Sequence, residues 1–317
     1  MGGPISVASR ASPIKKVLIV VLILGPMVFL FVKFSQNDNL TSVSKLLNEV
    51  NSLQSYSGCD YRNYIMGPGG LQDDPCLIEI VKEKYLIPPS TLPYNILKAD
   101  YENQDIPSNL EKFKIIEDYI MDDKKSPGFF IECGANDGEF ISPTLRLEKI
   151  YNWRGLLIEG NPGPFHNLTT KNRKAWIVNA AACITPNANK ITFFTNPKNT
   201  GLAGLNSRKE HGVSVELTVQ CIPLFTLLKA LNVMEVDFFS LDVEGSELAI
   251  LETVPFDKIK FKFLTVEHGL IPGGKEALQT FLESKGYFFL KEMKDSLTID
   301  SAFVHESLRE RFKDFKN

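Results

Sequence analysis

The sequence has few of the residues that mark several common protein classes. Its 317 residues include five cysteines and four histidines, and neither type recurs at the spacing of a metal site. Lys and Arg number 35 against 38 Asp and Glu, so the chain lacks the positive excess typical of nucleic-acid-binding proteins. Residues 111–317 lack the dinucleotide motif Gly-x-Gly-x-x-Gly, which argues against a nicotinamide enzyme. They also lack an Asp-x-Asp motif, which argues against a glycosyltransferase with that metal site.

The five cysteines are too few for a disulfide-based scaffold. Cys59 and Cys76 lie in a stretch rich in Gly, Pro and Asp, where they either bridge a loop or remain two unpaired thiols. In an oxidising compartment we expect the bridge, which would contribute roughly 3 kcal/mol. Cys133, Cys183 and Cys221 lie in or beside apolar runs, so we expect them to be small buried residues.

Residues 17–32 form an uncharged apolar run, flanked by Ile14 and Phe34. A helix of this length spans about 24 Å, slightly short of a typical bilayer core, but snorkelling lysines extend its reach. The alternative is a cleaved signal peptide, but no small-x-small cleavage site follows the run. We predict an uncleaved transmembrane signal-anchor over 17–34.

Basic residues concentrate before this run, as Arg10, Lys15 and Lys16, with only Lys33 directly after it. The positive-inside rule then predicts a cytosolic tail over 1–16 and a luminal or extracellular C-terminal part, which is a type II arrangement. Two Asn-x-Thr sequons, at Asn39 and Asn167, are compatible with that topology. Residues 35–110 read as a stem, because Gly and Pro interrupt every regular pattern there.

From residue 111 onward, apolar runs alternate with amphipathic segments. This alternation predicts a doubly wound, mostly parallel α/β sheet that ends in an antiparallel strand pair. The predicted strands are 128–132, 154–159, 175–181, 190–195, 215–221, 236–241, 261–267, 287–293 and 301–305. The predicted helices are 111–121, 142–150, 164–171, 224–231, 246–253 and 275–285.

Acidic residues stand at the carboxyl ends of four of these strands. The first belongs to the motif Glu132-x-Gly134-x-x-x-Gly138, which is either a ligand loop or an ordinary strand-to-helix turn. Glu159 ends the next strand, where an acid binds ribose hydroxyls or caps a helix. Because strand ends of a parallel sheet share one edge, we expect these groups to face one crevice.

The other two strand ends carry Asp242 with Glu244, and Glu267 with His268. His268 is a candidate proton acceptor in the same crevice, or else a structural histidine with satisfied hydrogen bonds. The acids form no dedicated metal-ligand cluster in the sequence, although a hydrated Mg²⁺ or Mn²⁺ is compatible with them.

Three ordered stretches together resemble the FkbM-type methyltransferase family. They are FFIECGANDG at 129–138, WRGLLIEGNP at 153–162 and FSLDVEGSE at 239–247. The resemblance covers about residues 127–305 and implies a class I fold that binds S-adenosylmethionine (SAM). It implies that Glu132, Gly134, Asn136 and Gly138 hold the methionine part of SAM, and that Glu159 holds the ribose. Asp242 and Glu244 would then lie near the transferred methyl group.

The order of tail, anchor, stem and domain is also similar to that of the membrane-anchored, Star-like proteins of arthropods. Those proteins are implicated in moving precursors of epidermal growth factor receptor ligands from the endoplasmic reticulum to the Golgi. Two functions follow as expectations. One is O-methylation of a hydroxyl on a glycan or small molecule, with His268 or Asp242 drawing the proton. The other is protein-cargo binding in membranes of the endoplasmic reticulum, Golgi or endosomes by a catalytically silent domain.

Overall fold

The structure, a computed structural model, describes residues 22–24, 27–29, 59, 69–96, 107–122, 127–196, 199–204, 215–294 and 299–316. The chain divides into two compact units, Met1–Gly58 and Cys59–Asn317.

In the first unit the structure describes two short strands. These are β1 (Leu22–Leu24) and β2 (Met27–Phe29), which pair antiparallel. Both lie inside the anchor predicted over 17–34, whose other residues fall outside the described part, as does the sequon at Asn39. The two strands differ from the helix expected over this run, and the membrane anchor itself stays a prediction. Of the helices in the described residues, none has the length and apolar character needed to cross a membrane.

The second unit is built on a seven-stranded sheet, as the alternating pattern predicted. Its strands are β3 (Phe129–Cys133), β4 (Arg154–Ile158), β5 (Trp176–Val178), β10 (Glu235–Leu241), β11 (Lys260–Glu267), β12 (Tyr287–Lys294) and β13 (Ile299–His305). Their spatial order is β5-β4-β3-β10-β11-β13-β12, and β13 alone runs against the others. The strand order reverses between β3 and β10, and open α/β sheets bind ligands at such a switch point.

A smaller, four-stranded sheet is inserted between β5 and β10. It contains β6 (Ala181–Ala182), β7 (Asn189–Asn196), β8 (Asn199–Gly204) and β9 (Val215–Ile222), in the order β6-β9-β7-β8. The sequence pattern predicted β7 and β9 but neither β6 nor β8.

Helices cover both faces of the main sheet. They are α1 (Pro75–Lys84), α2 (Pro107–Ile115), α3 (Leu145–Tyr151), α4 (Pro162–Thr170), α5 (Leu224–Ala230), α6 (Glu247–Thr253) and α7 (Gly274–Ser284). A π-helical turn, Ile116–Ile120, extends α2, and a 3-10 helix, Glu306–Phe312, follows β13. One apolar cluster joins α1, α5, α6 and α7 to the sheet, and a second joins α2, α3 and α4 to its other face. The fold is therefore three layered.

Part of the predicted stem belongs to this domain. Leu77 and Val81 of α1 are fully buried in the first core cluster, and Thr226 Oγ1 donates to the carbonyl of Gln72 at 2.8 Å. The boundary predicted at residue 110 is corrected accordingly, because apolar residues of α1 pack against α5. The sequence pattern missed this helix because the Gly and Pro residues around it suggested an irregular stem. They instead mark the two ends of a short helix.

Two disulfides fasten the second unit. Cys59–Cys76 confirms the predicted bridge. Cys183–Cys221 joins the residue after β6 to β9, so the expectation of two unpaired buried thiols there is wrong. The pair is 38 residues apart, and the parallel pairing of β6 with β9 brings its members together. Cys133 is free and buried.

Candidate functional site

The loop after β3 lies directly against the end of β10. Gly134 has a φ of +88°, and a Cβ atom there would lie 1.8 Å from the carbonyl oxygen of Asp242. The backbone N–H groups of Gly134 and Ala135 both donate to the carbonyl of Ile158 at 3.0 Å. Only glycine permits this approach, so the loop is held against the switch point between β3 and β10.

The same loop is closed at its far end by Gly138, with a φ of +72°. A Cβ atom there would lie 2.2 Å from Cδ1 of Leu168, so another residue would have to displace that side chain and adopt a strained positive φ. Asp137 Oδ1 accepts hydrogen bonds from the backbone N–H groups of Glu139 and Phe140, at 2.9 and 2.8 Å. The predicted glycine motif is thus a tightly fixed loop.

Glu159, directly after β4, connects this loop to the neighbouring strand end. Its Oε2 accepts from the backbone N–H of Asn136 at 2.8 Å, and its Oε1 accepts from that of Asn161 at 2.6 Å. Burial, together with the charge of Glu132, raises the pKa of Glu159 to about 7. Each carboxylate oxygen can accept a second hydrogen bond, so Glu159 can still receive two ribose hydroxyls.

Glu132 faces a second set of partners within the same loop. Its Oε2 accepts from Ser142 Oγ at 2.7 Å and from Thr144 Oγ1. Burial raises the pKa of Glu132, while the guanidinium of Arg173 lowers it. Arg173 itself donates to the carbonyl of Gly138 and to Thr144 Oγ1. Glu132, Thr144 and Arg173 therefore hold the segment that leads into α3. No sequence motif had indicated this role for Thr144 or Arg173.

The acids after β10 and β11 stand side by side. Leu241 pairs with Val266, so Asp242 lies next to Glu267. Burial and the charges of neighbouring carboxylates raise the pKa of Asp242 to about 7. They raise the pKa values of Glu244 and Glu267 to about 8. Glu244 also adopts a φ of 60°, a left-handed conformation that is uncommon outside glycine and is often found at functional sites.

A third carboxylate, Glu247, joins this group. One carboxylate oxygen from each of Asp242, Glu247 and Glu267 lies within 4.8 Å of the others. The Oε1 of Glu247 accepts from the backbone N–H of Val243 at 2.8 Å, and its Oε2 accepts from that of Gly245 at 3.0 Å. Both oxygens of Glu247 accept hydrogen bonds from the backbone of its own loop. The cluster therefore has the negative charge of a cation site, but only Asp242 and Glu267 are left to act as ligands.

His268 has partners of its own, away from these acids. Its Nδ1 lies 3.0 Å from Ser301 Oγ, and its Nε2 lies 3.6 Å from Glu292 Oε2. Ser301 pairs with Val266, so its side chain points to the face of the sheet opposite that of Glu267. The structure thus turns His268 away from the crevice in which it was predicted, because consecutive residues of a strand face opposite sides.

Helix α2 covers the crevice over β11 and β13. Lys112 of α2 is buried and its Nζ lies 2.7 Å from Oδ2 of Asp300. Asp300 pairs with Glu267 across the two strands, so this cation faces the acid cluster. Asn109 Nδ2 donates to the carbonyl of Ile141 at 2.8 Å and fixes α2 to the loop after β3. Sequence reasoning missed Lys112 and Asp300, since neither lies in a motif.

These features suit an adenosyl cofactor. Gly134 of the glycine loop is exposed, and Glu159 accepts a hydrogen bond from Asn136 of the same loop. The acids at Asp242 and Glu267 favour a positively charged group beyond that loop.

Residues 132–289 match the family model described as the methyltransferase FkbM domain. No curated protein sequence matches the chain significantly.

Solved structures give more distant likenesses. The methyltransferase FkbM of Methylobacillus flagellatus KT shares 14% identity at a TM-score of 0.42, over 65% of this chain and 49% of that one. The aligned part therefore spans about half of that relative. The N-terminal domain of human METTL16, in complex with SAH, shares 15% identity at a TM-score of 0.37, over 74% and 83% of the two chains. TrmK of M. capricolum, in complex with S-adenosyl-homocysteine, shares 11% at 0.32, over 57% and 63%.

Likenesses at these TM-scores carry no information on activity, whereas the family match agrees with the glycine loop, the acid after β4 and the strand order. Residues 132–289 therefore form a methyltransferase-like domain of the FkbM type, for which S-adenosylmethionine is the indicated cofactor.

Proposed function

We propose that the protein is a SAM-dependent O-methyltransferase that acts on a hydroxyl of a glycan or small molecule. The observation that carries the proposal is the 2.8 Å hydrogen bond from the N–H of Asn136 to Oε2 of Glu159. It joins the glycine loop after β3, which we assign to the methionine part of SAM, to the acid after β4, which we assign to the ribose. The switch point between β3 and β10 lies beside them.

When bound, SAM supplies an electrophilic methyl group on a cationic sulfonium. We assign its methionine part to the loop of Glu132, Gly134, Asn136 and Gly138, and its ribose to Glu159. Asp242 and Glu244 then stand near the methyl group, where negative charge favours the sulfonium in a site shielded from water. Alignment of a nucleophile with the methyl group supplies much of the rate in such a reaction.

We further propose that the domain lies in the lumen of the secretory pathway, behind the type II anchor predicted over 17–34. Two disulfides, which use four of the five cysteines, support an oxidising compartment. Asn167 of the second sequon is exposed on α4, so a glycan there is compatible with the folded domain.

The test is calorimetric titration of the intact 317-residue chain with SAM and with its demethylated product. We expect binding of both, and a loss of affinity of tenfold or more in Glu159→Ala. The matched control is Glu252→Ala, which removes an exposed carboxylate of α6 and should leave affinity unchanged. No binding at millimolar SAM would refute the methyltransferase and leave the Star-like trafficking function, in which the domain binds protein cargo.

Topology has a separate test. We expect Asn167→Gln to remove a glycosidase-sensitive mass shift, and intact vesicles to protect the C-terminal domain from added protease. An unglycosylated Asn167 together with protease access from the cytosol would refute the type II arrangement.

A further inference from the structure

Two buried oxygen atoms on β11 have no hydrogen-bond partner among the residues that the structure describes. They are Oγ1 of Thr265 and Oε2 of Glu267. Thr265 is 1% exposed, so its hydroxyl has no access to bulk water. An unsatisfied buried polar group costs about 1–3 kcal/mol, and two on one strand indicate a place for a polar ligand.

Both atoms belong to the same face of the sheet. Residues two apart on a strand share a face, so Thr265 and Glu267 point the same way. Thr265 pairs with Ser240 on β10, and Ser240 pairs with Glu132 on β3. Glu267 pairs with Asp300, whose carboxylate binds Lys112 of α2. The two oxygens therefore lie on the face of the sheet that α2 covers, and Glu132 points to the same face from β3.

Their position relative to the assigned cofactor site is set by strand order. The glycine loop contacts Asp242 at the gap between β3 and β10, and β11 is the next strand outward. A second substrate that approaches the transferred methyl group from the β11 side would meet Glu267 first. Glu267 is only partly buried as a residue, although its Oε2 atom is buried.

We propose that Thr265 and Glu267 form the subsite for the acceptor hydroxyl, with Glu267 as its proton acceptor. This inference rests on the proposed methyltransferase function. The hydroxyl proton passes to Oε2 of Glu267 while the Thr265 hydroxyl donates to the acceptor oxygen. The acceptor oxygen forms a bond to the methyl carbon as the carbon–sulfur bond of SAM breaks. The electron pair of that bond remains on sulfur, so a methyl ether, a neutral thioether and a protonated Glu267 result.

The chemistry of Glu267 suits this role better than that of His268. Burial, with the charges of Asp242, Glu247 and Asp300 around it, raises the pKa of Glu267 to about 8. A carboxylate of that basicity accepts a proton effectively near neutral pH. His268 has Nδ1 against Ser301 on the opposite face of the sheet, so it cannot reach the same hydroxyl.

The experiment measures transfer of tritium from [methyl-³H]SAM by the intact chain. The hydroxyl probes are the methyl glycosides of glucose, galactose and mannose, and the N-acetyl amides of serine and threonine. We expect Glu267→Gln to lower kcat by about 100-fold or more while the Kd for SAM stays within threefold. Glu276→Gln, which changes an exposed carboxylate of α7, is the matched control and should keep wild-type values.

Two further readouts separate a catalytic role from a structural one. Wild-type kcat should rise with pH through the pKa of Glu267, and this rise should disappear in Glu267→Gln. Thr265→Val should lower kcat by roughly tenfold, and Thr265→Ser, which restores a hydroxyl, should recover most of it. If Glu267→Gln does not fold, Glu267→Asp keeps the charge on a shorter side chain and should fold with a reduced kcat.

The outcomes distinguish this inference from the proposed function. A chain that binds no SAM refutes the methyltransferase, and this subsite with it. A chain that binds SAM but methylates no probe overturns the subsite together with hydroxyl methylation, and leaves SAM binding standing. Wild-type kcat with an unchanged pH profile in Glu267→Gln overturns the subsite alone, as does wild-type kcat in Glu267→Asp where that variant is used.

Discussion

Lys112 and Asp300 form a buried ion pair, with Nζ 2.7 Å from Oδ2 and both side chains 5% exposed. The pair joins α2 to β13 across the crevice and also neutralises part of the acid cluster, because the charge of Lys112 lowers the pKa of Asp242. Both residues lie outside the matched region, 132–289, so the described structure completes the crevice with parts of the chain beyond the family domain.

Lys112→Met should destabilise the protein by about 3–5 kcal/mol, because it leaves the buried carboxylate of Asp300 without its counter-charge. The double variant Lys112→Met/Asp300→Asn should recover much of this loss, since both charges are then absent. Urea unfolding of the three proteins measures the effect. Lys260→Met is the control, because the Lys260–Glu235 pair is half exposed and should contribute less than about 1 kcal/mol. Equal losses in the two single variants would contradict the importance of burial.

Gly134→Ala tests the close approach between the glycine loop and β10. The added Cβ would lie 1.8 Å from the carbonyl oxygen of Asp242, in a backbone conformation with a φ of +88°. We expect a loss of several kcal/mol in unfolding free energy, measured in urea, and loss of measurable SAM binding.

Gly163→Ala is the matched control in the adjacent loop region. Its added Cβ would lie 3.6 Å from Oδ1 of Asn161, which is an ordinary contact, at the first turn of α4. We expect stability within about 1 kcal/mol of wild type and an unchanged affinity. Wild-type SAM binding by Gly134→Ala would show that the loop is not part of the cofactor site.

Most strands and helices of the domain were predictable because they have a strong local period, whereas β6, β8 and α1 were not. The run 236–241 became β10 at Glu235–Leu241, and the segment 275–285 became α7 at Gly274–Ser284. Hydrophobic periodicity shows which face of such an element will be buried, so it indicates the type of the element from a short stretch of sequence. The positions of Glu132, Glu159, Asp242 and Glu267 were also predictable, because the carboxyl ends of parallel strands lie along one side of the sheet.

Features that depend on contacts distant in sequence were not predictable. The Lys112–Asp300 pair and the Cys183–Cys221 bridge join residues whose spacing matches no motif. The direction of His268 was missed for a different reason. A residue at a strand end reads as part of the crevice, but alternation along the strand places its side chain on the other face.

The disulfide between Cys183 and Cys221 should contribute substantially to stability. Closing its loop, with partners 38 residues apart, lowers the entropy of the unfolded chain by an amount worth about 4 kcal/mol. We expect Cys183→Ala/Cys221→Ala to unfold at correspondingly lower urea concentration, and reduction of the wild-type protein to do the same. Cys133→Ala changes the free cysteine and should cost less. Equal stability of the reduced and oxidised wild-type protein would argue against a structural role for the bridges.

The acid cluster should make the stability of the ligand-free protein depend on pH. Burial first, and then neighbouring charge, raises the pKa values of Asp242 and Glu267 in the folded state to about 7 and about 8. Below their ordinary values of about 4, both states are protonated and the groups have no effect. As pH rises from there, the unfolded chain releases protons that the folded chain retains, so these groups lower the unfolding free energy until about pH 8.

The measurement compares wild type with Asp242→Asn/Glu267→Gln, because burial also lowers the pKa of His268 and His305 and this works in the opposite direction. Between pH 5 and pH 8 the double variant should gain stability relative to wild type, in urea unfolding at each pH. Asp257→Asn, which changes an exposed carboxylate before β11, should show no such gain. Saturating SAM should shrink the difference, because a cationic ligand beside the cluster favours the ionised acids in the folded wild-type protein. A double variant that loses stability relative to wild type as pH rises would mean that these carboxylates are stabilised, not destabilised, by their surroundings.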